Sequence, residues 1–221
     1  MPGPGAVLKD DYFARTSFEY LDGAPVVVKE SKPWRVLGLE LSLPARVLAR
    51  HEASINRQLG EVDGIPGFIH LDGQRRFARR YIPGRTLQEV PQASGAFFDD
   101  LERIVRDLHL RGIAYVDLAK QENIIVGDDG RAYLIDFQIS LSLGPFSGIL
   151  RPFRRALFRM LAREDLYHLA KHRSLKARDS MRFEHTFLLS APSRMNRAHR
   201  RVVKPFYNLW TRRLLRRTRT L

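Results

Sequence analysis

One stretch limits what this chain can fold into more than any other: RGIAYVDLAKQENIIVGDDGRAYLIDFQ, residues 111–138. Two carboxylates in it, Asp117 and Asp136, sit among apolar neighbours: Ile113, Val116 and Leu118 around the first, Leu134, Ile135 and Phe137 around the second. A carboxylate in such company needs a cation, donors or a metal, because an unpaired buried charge is too costly to keep. The residues after Asn123 read as a strand, Asp128-Asp129-Gly130 as a tight turn, and 132–135 as a second strand delivering Asp136. Such a hairpin holds Asn123 and Asp136 at one end. An amide oxygen and a carboxylate so placed suit Mg²⁺, which binds few protein oxygens and leaves the remaining positions to phosphate and water. Asp117, a few residues earlier, is placed to orient an acceptor hydroxyl and take its proton.

Upstream, the chain reads as strands with one helix. Residues 17–21, Asp22-Gly23 and 25–29 predict a hairpin, since Asp-Gly takes the positive φ of a tight turn. After Pro44, in ARVLARHEASINRQL, Val47, Leu48, Ile55 and Leu59 recur at helical spacing, and Gly60 is the expected stop. Residues 64–70 and 76–82 read as two further strands about Asp72-Gly73, and Pro83-Gly84 as a hinge. Beyond it, Phe97, Phe98, Leu101, Ile104, Val105 and Leu108 predict a buried helix over 95–111, stopped by Gly112. Basic helices follow to Leu221. At 221 residues the chain suits one ordinary domain or two small lobes. The expected class is α+β with two lobes. Residues 1–82 form a small β-rich lobe, 83–190 a reduced helical lobe with the Asp117 and Asp136 loops, and 191–221 a basic amphipathic tail.

The segment from Asp117 to Phe137 resembles the catalytic and metal loops of protein kinases, with Asp136-Phe137 as the Asp-Phe that opens the metal loop. VVVK, ending at Lys29, looks like the strand lysine that contacts the α- and β-phosphates. Glu52, in RHEASINRQL, is placed like its glutamate partner. RRYIPGRTL, with Arg80, Tyr81 and Ile82, resembles the strand-to-hinge segment that binds adenine, and LHLRGIAYVDL the helix leading into the catalytic loop. These pieces stand in kinase order over roughly residues 18–140. The resemblance implies a bilobal protein-kinase-like fold, ATP as phosphate donor, Mg²⁺ on Asn123 and Asp136, and γ-phosphate transfer to a hydroxyl. Small size and the DL-x-K-x-x-N form are similar to the bacterial lipopolysaccharide-core (Kdo and heptose) kinases and the RIO-like atypical kinases. A sugar, a lipid-linked molecule or another small acceptor is the substrate this implies. A RIO-like protein serine/threonine kinase and a catalytically weak, nucleotide-binding pseudokinase remain open as alternatives.

Four departures from that pattern matter. No glycine occurs between Gly5 and Gly23, so a loop near residues 13–17, with Arg15, has to cover the phosphates without a glycine-rich turn. Tyr115-Val116 replaces the usual His-Arg, which removes the partner of a phosphorylated activation loop, while Tyr115 keeps the packing role of the histidine. Asn123 follows Asp117 by one residue more than in kinases, so the loop must bulge, and Lys120 becomes the candidate phosphate-neutralising lysine. Gln138 stands where a glycine is usual, which favours a fixed, active-like loop. Each residue also has a plainer reading: Lys29 as a solvated strand end, Glu52 on a solvated helix face, Asn123 as a turn cap. His109 is expected to be a structural hydrogen bonder.

Charge is unevenly spread. The net +14 arises after residue 150, where 20 Lys/Arg face 4 Asp/Glu. Such a block points to an anionic partner, whether an anionic membrane surface reached through the tail, an acidic substrate or nucleic acid, with solubility and local pairing as the plainer reading. In the tail, Phe206, Tyr207, Trp210 and Leu214 share one stripe of a helix expected over 205–217, which suits either docking on the helical lobe or an interfacial site. Residues 149–161 repeat the theme, with Phe153, Leu157 and Met160 facing one way and Arg154, Arg155 and Arg159 elsewhere; these arginines are also candidates for an acceptor groove. A nucleic-acid partner is not expected, for want of interleaved base-stacking aromatics. No apolar run reaches the roughly 18 residues of a membrane span, the start lacks a secretory pattern, and there are no cysteines. The expected location is cytoplasmic, with peripheral contact at the inner membrane face.

Overall fold

The structure is a computed structural model that describes residues 2–10, 14–32, 34–36, 39–41, 62–70, 76–144 and 151–190, with 51, 54, 55, 58 and 59 between them. Strands β1 (Val7–Asp10), β2 (Ala14–Leu21) and β3 (Ala24–Ser31) open the chain. Two short strands follow, β4 (Trp34–Val36) and β5 (Leu39–Leu41), then β6 (Phe68–His70) and β7 (Arg76–Arg80). Five of them build one antiparallel sheet in the order β1-β2-β3-β7-β6. The hairpin expected from Asp22-Gly23 is present: both residues have positive φ, 49° and 77°, the turn whose twist matches the strands it joins. Its register runs from Ala14 opposite Ser31 to Leu21 opposite Ala24. Phe18, Val26, Val28 and Ala78 bury the inner face.

The second half is helical around a small β-hairpin. Strand β8 (Gly84–Thr86) precedes helix α1 (Gly95–Leu110), then come β9 (Ile113–Ala114), β10 (Ile124–Gly127), β11 (Ala132–Leu134) and β12 (Leu141–Ser142). Helices α2 (Arg151–Lys176) and α3 (Phe183–Ser190) complete the described chain. α1 starts on Ser94, whose Oγ accepts from Phe97 N–H at 3.0 Å, and stops at Gly112 with φ 74°, as a helix C-terminus favours. Its face of Phe97, Phe98, Leu101, Ile104, Val105 and Leu108 is fully buried. That face packs with Ile113, Tyr115, Ile124, Leu134, Phe137 and Leu169 into the main core, and Ile55 and Leu59 join it from the helix expected upstream. The chain is thus α+β, a five-stranded N-terminal sheet followed by helices, as a bilobal kinase-like fold requires.

Two expectations shift. The strand expected over 64–70 begins only at Phe68, because Gly64 turns with φ 90°. Its carbonyl accepts from Leu134 N–H at 2.9 Å, so the chain at Gly64 packs against α1 and β11 instead of extending the sheet. The loop expected near 13–17 is largely strand: Arg15 and Ser17 lie within β2, which begins at Ala14, and the strands are connected by residues 11–13. That connection, most of the helix expected after Pro44, and the whole tail from 191 lie outside the described residues.

Gly64 is a test of that packing. A Cβ there collides with Ile104 Cδ1 and lies 3.1 Å from the Ala132 carbonyl oxygen. Gly64→Ala is expected to cost about 2 kcal/mol through strain and overpacking, read as a lowered denaturation midpoint with an unchanged m-value.

Candidate active site

The loop after β9 is held from behind. Val116 has φ 72°, a conformation a β-branched residue adopts only when its surroundings impose it. The imposing group is Asp165 on α2, 1% exposed. Its Oδ1 accepts from Val116 N–H at 2.8 Å and its Oδ2 from Tyr115 N–H at 2.8 Å. His109 Nε2 bonds the same Oδ2 at 3.0 Å, the structural part expected of that histidine. A buried carboxylate with three donors is satisfied, and it fixes the backbone that presents the next residue, Asp117.

Tyr115 ties this loop to the one carrying Asp136. Its hydroxyl donates to the Ile135 carbonyl, its carbonyl accepts from Ser140 Oγ at 3.1 Å, and its ring meets Phe137 edge-on at 5.1 Å. Burial first, then the charges of Asp136 and Asp117, hold the phenol well above its ordinary pKa, so it stays a donor. The packing part expected of it in place of histidine is what the structure shows.

The extra loop residue is absorbed by a 3-10 turn, Gln121–Asn123. Asn123 Nδ2 still reaches Asp117 Oδ2, at 2.9 Å, and Lys120 Nζ donates to the same oxygen at 2.8 Å. Oδ1 of Asp117 has no hydrogen-bond partner among the described residues. Burial alone would lower the Lys120 pKa, but the hydrogen bond and charge of Asp117 raise it, so Lys120 stays a cation. The turn is pinned by His172 on α2: its Nε2 donates to the Leu118 carbonyl at 2.7 Å, and its Nδ1 accepts from Gln121 Nε2 at 3.1 Å. That fixes one neutral tautomer, and burial pushes His172 down to about 4.

Asp136, with φ 64°, faces Lys29 on β3. Lys29 Nζ donates to Asp136 Oδ1 at 3.0 Å, across 107 positions of sequence. Burial alone would raise the Asp136 pKa; the charge and hydrogen bond of Lys29, the charge of Arg79 and the Gln138 N–H together bring it below the carboxylate norm. Arg79, on β7 and 6% exposed, lies with its guanidinium carbon 5.2 Å from the Phe77 ring centre and 5.9 Å from that of Phe137. Each such contact favours a desolvated cation. A second cation therefore backs the carboxylate from the strand that leads to the hinge.

Ile135 N–H donates to the Asn123 carbonyl at 3.0 Å, so the hairpin does bring Asn123 and Asp136 to one end. One amide oxygen and one carboxylate fit Mg²⁺, which takes its other ligands from phosphate and water. Among the described residues no group of three or more His, Asp or Glu forms a richer cage. At the hinge, Arg80 N–H donates to the Gly67 carbonyl and Tyr81 N–H to that of Pro25, both at 3.0 Å. The Tyr81 ring packs edge-on to Phe18 at 4.9 Å. Ile82 N–H has no backbone partner among the described residues, and the Asp128 N–H donates to the Pro83 carbonyl at 2.9 Å. Glu52 lies outside the described residues. The pair Lys9–Glu122, 3.0 Å, joins the first strand to the loop of Asp117.

Three residues of this arrangement escaped the sequence reading: Asp165, Arg79 and His172. Only Arg79 left a trace, as a charge two residues from Phe77 and so on the same face of its strand.

No family model matches the chain. Over 90 residues, 41% of the chain, it is 34% identical to protein kinase PINOID 2 of Oryza sativa subsp. japonica, and the match covers 16% of that protein. The chain therefore carries a partial, protein-kinase-like relationship, in keeping with its fold.

Asp165→Ala leaves two buried backbone N–H groups unpaired and is expected to cost about 2–4 kcal/mol in denaturant unfolding. His172 gives a pH signature. Its pKa is lower folded (about 4) than unfolded (6.5), so the unfolded chain binds the proton first and stability falls as pH drops below 6.5. Between pH 7 and 5 the wild type is expected to lose about 2 kcal/mol that His172→Gln retains; equal slopes would show that the imidazole is protonated in the fold.

Proposed function

We propose that this chain is a compact, ATP-dependent phosphotransferase acting on a hydroxyl of a sugar, a lipid-linked molecule or another small acceptor. The observation that carries the reading is the Lys29–Asp136 pair at 3.0 Å, beside a loop in which Lys120 and Asn123 both bind Asp117. Two lysines, two carboxylates and an amide gathered from distant parts of the chain are the parts phosphoryl transfer needs for positioning and charge.

In this reading Asp117 Oδ1 receives the acceptor hydroxyl and takes its proton as the oxygen bonds to the γ-phosphorus. The bond from that phosphorus to the β–γ bridging oxygen breaks, and ADP leaves with the electron pair. Lys120 neutralises the transferring group, and Lys29 holds the α- and β-phosphates once it releases Asp136. Asn123 and Asp136 would hold Mg²⁺, which when bound would supply charge neutralisation at the phosphates. The Arg80 carbonyl and Ile82 N–H are the groups offered to adenine beside Tyr81, and Glu52 is assigned as the partner of Lys29. The lobes are assigned to 1–82 and 83–190, with 191–221 as a basic tail at an anionic membrane face.

A small acceptor, as in the lipopolysaccharide-core kinases, is favoured by one feature. β12 ends at Ser142 and α2 begins at Arg151, too short a connection to build a long docking platform for an extended peptide. A RIO-like protein kinase would use the same residues. A weak, nucleotide-binding pseudokinase is favoured by the glycine-free β1–β2 connection.

Label transfer from γ-labelled ATP, with membrane lipid extract against protein lysate, separates these. Label in the lipid or sugar fraction is expected. Label in protein alone contradicts the small acceptor, and no turnover by the wild type contradicts the enzyme. Asp117→Asn is expected to lower kcat about 10²–10⁴-fold while thermal stabilisation by Mg-ATP persists.

A further inference from the structure

Helix α2 changes character along its length. From Glu164 onward it is built into the fold, with Asp165, Leu169, Ala170 and His172 buried. Its first turns project from it: Arg151, Phe153, Arg155, Arg159, Met160 and Arg163 are all exposed. Phe153 is 68% exposed and Met160 39%. They stand two helical turns apart on one stripe, with the small Ala156 between them. Of the apolar stripe expected here, Phe153 and Met160 thus face solvent while Leu157 is half-buried, and Arg154 turns in and donates to the Ser142 carbonyl at 2.9 Å.

The charge around that stripe is one-signed. Residues 151–163 hold five arginines and no Asp or Glu. Arg151, Arg155, Arg159 and Arg163 form no ion pair among the described residues. Neither feature stabilises the folded chain: the arginines repel one another and the phenylalanine is left in water. A partner that is both anionic and apolar relieves both costs. A bilayer with anionic headgroups has that composition, since an aromatic ring settles at the headgroup–acyl boundary while guanidinium groups bind phosphates. Nucleic acid offers the anions but no apolar layer for Met160. The stripe is also far narrower than the surface a stable protein–protein interface buries.

We propose that residues 151–163 form a docking face for anionic phospholipid bilayers, with Phe153 and Met160 entering the interface and Arg151, Arg155, Arg159 and Arg163 engaging lipid phosphates. The proposal uses no residue of 191–221 and does not rest on the phosphotransferase reading.

The test uses the full chain and unilamellar vesicles of phosphatidylcholine alone or with a third phosphatidylglycerol, at about physiological salt. The wild type is expected to sediment with the anionic vesicles only. Replacing Arg151, Arg155, Arg159 and Arg163 together by Gln is expected to weaken partitioning about a hundredfold or more. A second readout covers the case in which that variant folds poorly. The chain has no cysteine, so Phe153→Cys accepts a single environment-sensitive dye, whose emission is expected to shift to the blue on anionic vesicles. Three results overturn the proposal: no dependence on anionic lipid, full binding by a folded Gln variant, or sedimentation without a dye shift, which would place the contact elsewhere. Loss of nucleic-acid binding in the Gln variant, with no vesicle binding by the wild type, would reassign the face to nucleic acid.

Discussion

The candidate site depends on one buried carboxylate. Asp165 has no access to water, yet its two oxygens receive Val116 N–H, Tyr115 N–H and His109. A buried charge is tolerated only when its lone pairs are filled, so the loop before Asp117 cannot relax without exposing an unpaired ion. The left-handed Val116 is the local cost of that bargain. Because Asp165 belongs to α2, the helix that closes the core also sets where the reactive carboxylate points. His172, two turns further on, pins the other end of the same loop through the Leu118 carbonyl. One helix thus fixes both flanks of Asp117.

The N-terminal sheet is joined to this framework by charge. Lys29 and Arg79 come from neighbouring strands, and both bear on Asp136. Their stems and planes lie against Phe77, with Lys29 Nζ 5.8 Å and the Arg79 guanidinium carbon 5.2 Å from the ring centre. Arg79 also borders Phe137, so the residue after Asp136 is packed between a tyrosine ring and a guanidinium. Tyr115 then bonds the carbonyl just before Asp136. Asp136 is held through its side chain and through both neighbours, an arrangement suited to a fixed loop rather than a switched one. Val116 in place of an arginine before Asp117 agrees with that, since the usual basic partner of a phosphorylated segment is replaced at that position.

Much of this was legible in the sequence because the signals were local. Asp22-Gly23 fixed a hairpin, the apolar period of Phe97 to Leu108 fixed α1, and an apolar hairpin between Asn123 and Asp136 placed those residues together. What was hidden depended on distant packing. Asp165 reads as one acid in an arginine-rich helix, and nothing nearby announces the backbone groups it serves. Gly64 looked like the start of a strand, but α1 needed a close approach that only glycine allows. The extra residue before Asn123 looked like a threat to the site; a 3-10 turn, held by a histidine about fifty residues away, removes it. Phe153 and Met160 show the opposite failure, since helical spacing gives a stripe but not whether it faces the core or water.

The central claim is that Asn123 and Asp136, held by this framework, share a metal at the phosphates of a bound nucleotide. A crystal structure with a non-hydrolysable ATP analogue and Mg²⁺ tests it most directly. The account predicts Mg²⁺ at about 2.0–2.1 Å from the Asn123 side-chain oxygen and one Asp136 oxygen, with Lys29 moved from Asp136 to the phosphates and Asp117 unmoved. A metal that misses either residue, or a nucleotide bound away from the Lys29–Asp136 cleft, would contradict it.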